Sequence, residues 1–357
     1  MSARATVAAM TAYTLELREA EIKLNQNESP SDLPVELKRE VLARLEEQPW
    51  NRYPDFESST LRGALAVAYD LTPEQILVGN GSNELLAAAI GTFVGPGTPV
   101  VIPTPTFTLY EKLVTVAGGL PVPIEFDPAR GELPLDEMIR VLSGLRDAVV
   151  IFCSPNNPTG GVMPVGGLER LLATGATVLY DRAYDDFADA DDPSAVPLSA
   201  AIAPLNERLV TFSTFSKAWG LAGLRVGWLA STAETCRQIR KVKLPYSLNV
   251  LSEAIASLAL ERRDLRDANV ARLTRERERL MRFLLDMDGI TPFPSSANFV
   301  TFRLDRTGCN SAFDQLCADG ILIRDVSSYP GLRNCLRVTI GTREQNDRFL
   351  TSLQEIA

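Results

Sequence analysis

The most informative absence in this chain is histidine, which does not occur among its 357 residues. Hydrolases that pair a serine or cysteine nucleophile with a histidine base are therefore excluded, and so are metal sites built on imidazole ligands. Any proton transfer in this protein must use lysine, tyrosine, aspartate, glutamate or a cofactor.

Cysteine is scarce too, and no CxxC pair occurs, which argues against a structural zinc site. The chain has no apolar run of the roughly 18 residues that a membrane-spanning helix needs. Its first ten residues lack the charged and apolar segments of a secretory signal. We therefore expect a cytoplasmic protein with reduced core thiols and no membrane partner. The five cysteines are scattered, at Cys153, Cys236, Cys309, Cys317 and Cys335.

Positive charge is in deficit, with a formal net charge of −9 and a pI near 4.9. This argues against nucleic acid and anionic membranes as partners, but not against a small anionic substrate, which local arginines could bind. The composition, with 45% hydrophobic and 23% charged residues, is ordinary for a soluble globular enzyme.

Short apolar runs alternate with helical patterns through the middle of the chain, which predicts an α/β fold with a mainly parallel seven-stranded sheet. We expect an N-terminal arm at 1–30, a large domain at 31–250, and an interdomain helix with a small α+β domain at 251–357. One long helix is predicted at 253–287, and Asp32 is a plausible N-cap for a helix at 32–47. The strand-like runs are 75–78, 99–102, 121–124, 148–152, 177–180, 208–212 and 226–230.

The segment from Thr211 to Trp228 places Lys217 and Arg225 in a run that is otherwise apolar, small or hydroxylic. A lysine desolvated in this way becomes an amine nucleophile that forms Schiff bases. An arginine eight residues later, with the hydroxyls of Thr214 and Ser216 nearby, suits a phosphate. Together these features suggest pyridoxal 5'-phosphate (PLP), whereas the alternative is a structural lysine paired with a carboxylate.

Gly79-Asn-Gly-Ser-Asn-Glu84 follows one strand and opens a helix. Backbone amides at such a helix N-terminus bind phosphate, so Gly81, Ser82 and Asn83 are predicted to form a single-phosphate cup. A plain βα turn is the alternative interpretation. A dinucleotide site is disfavoured because Glu84 replaces the third glycine of that fingerprint, and Pro103 stands where the next strand would carry a ribose-binding acid.

Two further segments end strands, where ligands of α/β proteins bind. In Ser154-Pro-Asn-Asn-Pro-Thr-Gly160, Asn157 could donate to a phenolate oxygen, although the segment also reads as an ordinary loop. Asp181 follows an apolar run and is either a helix N-cap or the partner of a cation. PLP needs such an acid on its pyridinium nitrogen, and Tyr184 could reach its ring oxygen.

The order of these motifs resembles fold-type I PLP-dependent aminotransferases, and the segment around Lys217 resembles the class-II subgroup. Within that superfamily the chain is most similar to histidinol-phosphate aminotransferases. The matching segments are Leu24-Asn-Gln-Asn-Glu-Ser-Pro30, Arg52-Tyr-Pro-Asp55, Cys153-Ser-Pro-Asn-Asn-Pro-Thr-Gly160, Gly320-Ile-Leu-Ile-Arg-Asp325 and Leu336-Arg-Val-Thr-Ile-Gly-Thr342.

The resemblance implies a role for each cofactor residue. Lys217 would form the imine with PLP and move the proton, Asp181 would pair with the pyridine nitrogen, and Asn157 and Tyr184 would contact the ring oxygen. Phe107 would stack on the ring. The residues implied around the cofactor phosphate are Gly81, Ser82, Asn83, Thr214, Ser216, Arg225 and, from the other subunit of a homodimer, Tyr53.

The same resemblance implies that Arg337 and Arg324 bind the substrate anion, with Asn157 and Tyr13 on the substrate side. A surface salt bridge is the alternative for Arg324, and packing of the N-terminal arm is the alternative for Tyr13. The chain departs from the family at Arg182, where glutamate is common, and at Trp219, where phenylalanine is usual.

The expected reaction is transamination between an amino donor and a 2-oxo acid, with L-histidinol phosphate and 2-oxoglutarate as the best substrates. An aromatic or broad-range aminotransferase and a threonine-phosphate decarboxylase would carry the same motifs. A non-catalytic module on this fold is disfavoured because Lys217, Asp181 and Arg225 are all present.

Overall fold

The computed structural model describes residues 3–12, 18–188 and 206–356. Its strands, numbered in chain order, are β1 Ile22–Lys23, β2 Ile76–Asn80, β3 Pro99–Thr104, β4 Leu120–Glu125, β5 Val149–Cys153, β6 Thr177–Asp181, β7 Leu209–Thr214, β8 Val226–Ala230, β9 Ile290–Pro292, β10 Phe299–Leu304, β11 Ile321–Leu322, β12 Arg324–Asp325 and β13 Cys335–Thr339. The α-helices of the described part are Ala5–Ala8, Val35–Glu46, Ser59–Tyr69, Ser82–Phe93, Leu109–Ala117, Leu135–Leu142, Gly167–Ala173, Ala233–Arg240, Val250–Glu261, Arg263–Asp286, Cys309–Ala318 and Arg343–Ile356.

A seven-stranded sheet in the order β2-β8-β7-β6-β5-β3-β4 forms the centre of the fold. Its pairs are parallel except for those of β8, which runs antiparallel to β2 and β7. Strands such as β5 are buried along their whole length because helices cover both faces of the sheet, so their sequences are continuously apolar. The mainly parallel sheet predicted from the seven apolar runs is confirmed.

A second, four-stranded sheet in the order β12-β13-β10-β9 is antiparallel and lies in the C-terminal part of the chain. The short strand β1 pairs with β11, parallel to it. The last part of the predicted N-terminal arm therefore joins the C-terminal unit before the chain enters the large sheet. This path brings residues 24–28 between the two sheets.

The single helix predicted at 253–287 is wrong in one respect, because the chain forms two helices that break at Arg262. The second one, Arg263–Asp286, connects the two units. The buried guanidinium of Arg277 donates to the carbonyl of Phe187 at 3.0 Å and to that of Ala297 at 3.1 Å. The charged sequence of this helix therefore includes one arginine that joins two segments of the chain far apart in sequence.

Asp32 is not an N-cap, contrary to the prediction, because the helix begins only at Val35 after Pro34. The Asp32 carboxylate instead forms an ion pair with Lys38 and accepts from the backbone N–H of Leu33. Within the described ranges, no helix combines the length and apolar character needed to cross a bilayer.

Candidate functional site

A cavity of about 270 Å³ lies at the carboxyl ends of the parallel strands of the large sheet. Strands β3, β5, β6 and β7 all end beside it, because the carboxyl ends of parallel strands share one edge. The structure thereby brings together most residues that the sequence predicted. Those lining the cavity are Ser82, Asn83, Phe107, Asn157, Asp181, Tyr184, Thr214, Ser216, Lys217, Arg225, Arg324 and Arg337.

Lys217 lies in the turn after β7, with its amine in the cavity. Its Nζ donates to the backbone carbonyl of Gln26 at 2.9 Å and lies 5.8 Å from the centre of the Tyr184 ring. Burial, together with the nearby charge of Arg337, lowers the pKa of Lys217 to about 8. A substantial fraction of this amine is therefore neutral near physiological pH, as a nucleophile or a base requires.

Asp181 is the last residue of β6 and is only 7% exposed. Its Oδ2 accepts from the Tyr110 hydroxyl at 2.7 Å, and its Oδ1 accepts from the Ala183 N–H at 3.0 Å. Burial raises the pKa of Asp181, and the hydrogen bond from Tyr110 opposes that rise. A buried carboxylate held by neutral donors is well suited to a cationic ring nitrogen.

The phosphate cup forms where β2 meets the helix Ser82–Phe93. Gly81 has φ of +79°, and a Cβ there would come within 2.5 Å of Arg225 Nη2, so the guanidinium lies close against the glycine. Arg225 Nη1 lies 3.4 Å from Ser216 Oγ, while the Thr214 hydroxyl donates to the same oxygen at 2.9 Å. Arg225 forms no ion pair within the described ranges, which leaves its charge for an anion.

Arg324 and Arg337 are directly opposite each other in the register of β12 and β13. Like charges in such a pair are destabilising unless an anion lies between them. Arg337 is 7% exposed and is held by Asn157 Oδ1 and by the carbonyl of Asn25, the latter at 2.8 Å. Arg324 has no ion-pair partner among the described residues, so a surface salt bridge does not explain it.

Sequence reasoning missed several residues of the cavity. Asn25, Gln26 and Asn27 line it from the segment that follows β1, and Tyr329 lines it from the loop after β12. Tyr110 was also missed, although it follows Phe107 by three residues on one helical turn, and the two rings meet edge to face at 5.6 Å. That helical spacing was the available signal for Tyr110.

Two predicted residues that the structure describes, Gly81 and Tyr53, do not line this cavity, although Gly81 lies against Arg225. Tyr53 is 81% exposed and stacks on Tyr246 at 4.6 Å between ring centres, away from the cavity of its own chain. Tyr13 lies outside the described residues. The two departures from the family, Arg182 and Trp219, lie beside a smaller neighbouring cavity, where Arg182 pairs with Asp185.

Comparison with known proteins assigns the chain to a family. The model of the family "Aminotransferase class I and II" matches residues 19–353. The chain belongs to this family. The histidinol-phosphate aminotransferase of Ruminiclostridium cellulolyticum is 33% identical over 99% of this chain and 97% of its own. That of Chlorobaculum tepidum is 36% identical over 95% of each chain.

A solved aminotransferase structure has the same fold. The histidinol-phosphate aminotransferase of Sinorhizobium meliloti, in complex with PLP, superposes with a TM-score of 0.86 at 25% identity, over 99% of this chain and 96% of its own. The fold is therefore the fold-type I α/β fold that the sequence predicted.

The residues of the cavity fit PLP. Asp181 is a buried acid with neutral hydrogen-bond donors only, Lys217 is a buried amine, and Arg225 is a cation without a carboxylate partner in the described chain. These three groups match the ring nitrogen, the aldehyde carbon and the phosphate of PLP, which is the cofactor of this aminotransferase family.

Proposed function

We propose that this protein transfers the amino group of L-histidinol phosphate to 2-oxoglutarate with PLP as cofactor. Support comes from relatives of that name at 33% and 36% identity over nearly the whole chain. The observation that carries the proposal is the pair of opposed arginines, Arg324 and Arg337, in the same cavity as Lys217 and Asp181.

The predicted cofactor residues would bind three different parts of PLP: its phosphate, one face of its ring and its ring oxygen. Ser82, Asn83, Thr214, Ser216 and Arg225 would hold the phosphate, with Gly81 giving the close approach. Phe107 would cover one face of the ring, and Asn157 and Tyr184 would donate to its oxygen. When bound, PLP withdraws electrons from the donor Cα and accepts its amino group.

Two ionisable groups supply the charge and proton chemistry. Asp181, whose hydrogen bonds from Tyr110 and Ala183 oppose the rise of its pKa on burial, would as a carboxylate stabilise a protonated ring nitrogen. Lys217 Nζ, whose pKa is lowered to about 8, would accept a proton from the donor Cα and return it during the reaction. No histidine is needed for these steps.

The substrate arginines would serve both halves of the reaction. Histidinol phosphate has no carboxylate, so its phosphate would bind between Arg324 and Arg337. Glutamate and 2-oxoglutarate would place a carboxylate on Arg337, which the Asn25 carbonyl and Asn157 already orient. One anion site therefore accepts two different anions in turn. Tyr13 would also contact the substrate.

The quaternary structure and location follow the same proposal. The protein would be a cytoplasmic homodimer in which Tyr53 reaches the cofactor phosphate of the other subunit. The exposed position of Tyr53 supports this, and five cysteines without a disulfide support a reducing compartment. The arm, large domain and small domain would divide at 1–30, 31–250 and 251–357, with the cavity between the two sheets.

The test is a substrate comparison on the PLP-loaded protein. With 2-oxoglutarate present, glutamate formation is measured with L-histidinol phosphate, L-histidinol and L-phenylalanine. We expect kcat/KM for histidinol phosphate to exceed that for histidinol by about 100-fold or more, since the phosphate supplies charged hydrogen bonds. Equal rates with histidinol or phenylalanine would make it an aromatic or broad-range aminotransferase, and release of CO₂ from L-threonine phosphate would make it a decarboxylase.

A further inference from the structure

The segment Asn25–Asn27 connects the two halves of the site through its backbone. The Asn25 carbonyl accepts from Arg337 Nη2 at 2.8 Å, and the Gln26 carbonyl accepts from Lys217 Nζ at 2.9 Å. The substrate arginine and the reactive lysine therefore form hydrogen bonds to adjacent residues of one short segment. The third residue, Asn27, is bonded to Tyr184.

Asn27 uses every polar group it has. It is 1% exposed, and its φ of 55° lies in the left-handed region that asparagine tolerates better than most residues. Its backbone N–H donates to Thr339 Oγ1 at 2.9 Å, and its carbonyl accepts from Asn298 Nδ2 at 3.1 Å. A glycine would adopt this backbone as readily, so the amide side chain has a separate purpose.

The side-chain amide has a defined direction. The Thr339 hydroxyl accepts from the Asn27 N–H and donates to Asn27 Oδ1 at 3.1 Å. This turns Nδ2 towards Tyr184, whose hydroxyl oxygen accepts from it at 2.9 Å. Because that oxygen accepts from Asn27, the hydroxyl hydrogen of Tyr184 is directed elsewhere, and Tyr184 lines the cavity together with Asn27.

We infer that Asn27 is a positioning residue that directs the proton of the Tyr184 hydroxyl towards the ring oxygen of the cofactor. The inference rests on the proposed function, since it takes Tyr184 to contact that oxygen. The ring of Tyr184 packs edge to face on Phe299 at 5.3 Å, so the hydroxyl is the part of the side chain that the amide can steer.

The charged surroundings of Tyr184 support a donor role. The ionisable groups that act on it are Arg337, Asp181, Cys153 and Lys217. Burial raises the pKa of Tyr184, so the hydroxyl keeps its proton across the physiological range. A phenol that stays protonated and accepts one hydrogen bond donates its own hydrogen to the best remaining acceptor.

The test uses Asn27→Asp, which keeps the size and the left-handed backbone but presents an oxygen to Tyr184. The hydroxyl then donates to this carboxylate instead of to the cofactor oxygen. A hydrogen bond to a phenolate stabilises its anionic form, so its loss raises the pH at which the visible absorbance band of the PLP-loaded protein changes. We expect N27D and Tyr184→Phe each to raise this midpoint by about one pH unit.

A double-mutant cycle separates positioning from simple charge. In the Y184F background, N27D should shift the midpoint pH by less than half of its shift in the wild-type background, because no Tyr184 hydroxyl remains to be redirected. Thr339→Val, which removes both hydrogen bonds between the Thr339 hydroxyl and Asn27 and so releases the Asn27 amide, should give a smaller rise without adding charge. Thr211→Val is the matched control and should leave the midpoint unchanged, because Thr211 is also a buried strand threonine but its hydroxyl donates to the carbonyl of Ala230.

Each outcome decides the inference. A shift of the midpoint pH by N27D that is equally large with and without the Tyr184 hydroxyl would overturn the inference. An unchanged midpoint pH in both N27D and T339V would also overturn it, if Y184F does shift the midpoint. Should N27D fail to fold, T339V carries the same decision. A Y184F protein with the wild-type midpoint would contradict the proposed contact of Tyr184 with the cofactor, and a protein without a PLP band would contradict the cofactor itself.

Discussion

At the scale of single residues, Lys217 carries the strongest physical signal. Its sequence context predicted a desolvated amine, and the structure gives it a lowered pKa of about 8 against an ordinary value of 10.5. In the folded, cofactor-free protein the charged form is therefore disfavoured. Well below pH 8 the lysine is protonated in both folded and unfolded chains, and the folded state carries the full desolvation penalty.

This leads to a prediction for Lys217→Met. In the absence of PLP the variant should be more stable than the wild type by about 2 kcal/mol at pH 7. Between pH 8 and 10.5 only the unfolded wild-type chain still binds the Lys217 proton, so the wild type gains stability as the pH rises. The stability difference between K217M and the wild type should therefore shrink over this range. Guanidinium unfolding at pH 7, 9 and 10 measures it.

The exposed Lys241 provides the control, and Lys241→Met should change stability by less than about 0.5 kcal/mol at every pH. A K217M difference that stays constant or grows towards pH 10 would contradict the lowered pKa. K217M should also lack aminotransferase activity, because no amine remains at that position.

At the scale of elements, the phosphate cup depends on two glycines that face each other across β2 and β8. Gly227 is paired with Gly79 in the sheet, and a Cβ on Gly227 would come within 2.2 Å of the Ser82 backbone nitrogen. Backbone cannot yield to such a contact as a flexible side chain would. The start of the helix Ser82–Phe93 is thus held in place by the absence of a side chain on β8.

Gly227→Ala should therefore displace the cup. We expect the Kd for PLP to rise by about 10- to 100-fold, corresponding to about 1–3 kcal/mol of strain, as measured by titrating the cofactor-free protein. Gly223→Ala is the matched control, because a Cβ there meets nothing within 4 Å. An unchanged Kd in G227A, or equal losses in both variants, would contradict this account of the cup.

The sequence predicted the strand positions more accurately than the helix boundaries. The strand positions agree closely with the predicted runs because each run is apolar and bounded by turn residues. The break at Arg262 was missed because neither glycine nor proline marks it, and Arg262 has φ of −114° and ψ of 49°. The preceding helix packs on the helices Val35–Glu46 and Ser59–Tyr69, whereas the following one crosses to the second sheet.

At the scale of the whole molecule, an exposed aromatic surface supports the proposed dimer. Tyr53 and Phe56 both pack against Tyr246, yet Tyr53, Phe56 and Tyr246 remain 81%, 53% and 42% exposed. Leu244, which lines a small cavity with Phe56 and Tyr246, is 67% exposed, and Trp50, three residues before Tyr53 in the sequence, is 73% exposed. Apolar patches of this kind mark interaction surfaces.

Leu244→Asp should break the dimer, because it would bury an unpaired charge in the interface. Sedimentation should show association weakened by about 100-fold or more, with activity lost in parallel. Leu285→Asp, at 64% exposure on the Arg263–Asp286 helix, is the control and should stay dimeric. A monomeric wild type, or an L244D protein that remains dimeric, would contradict the proposed interface.

Mixed dimers test the role of Tyr53 directly. If Tyr53 serves the other subunit, pairing a Lys217→Ala chain with a Tyr53→Ala chain leaves one intact site per mixed dimer. Activity should then return to roughly a quarter of the wild-type value after random mixing of two weak variants. A mixture no more active than its components would place Tyr53 in its own chain's site.

The sequence by itself determined the chemistry and the sheet. The composition excluded histidine chemistry. The other signals, a lysine in an apolar run and acids or amides at strand ends, are local patterns, because burial and turn formation act over a few residues. They were sufficient for Lys217, Asp181, Arg225 and the seven strands.

Only the tertiary structure decided which distant groups meet. Asn27 contacts Tyr184 across 157 positions and Thr339 across 312, and Tyr110 contacts Asp181 across 71. No local pattern encodes such pairs, because they depend on the path by which the chain after β1 passes between the two sheets. The same path sets the direction of the Tyr184 hydroxyl, which the sequence identified but could not orient.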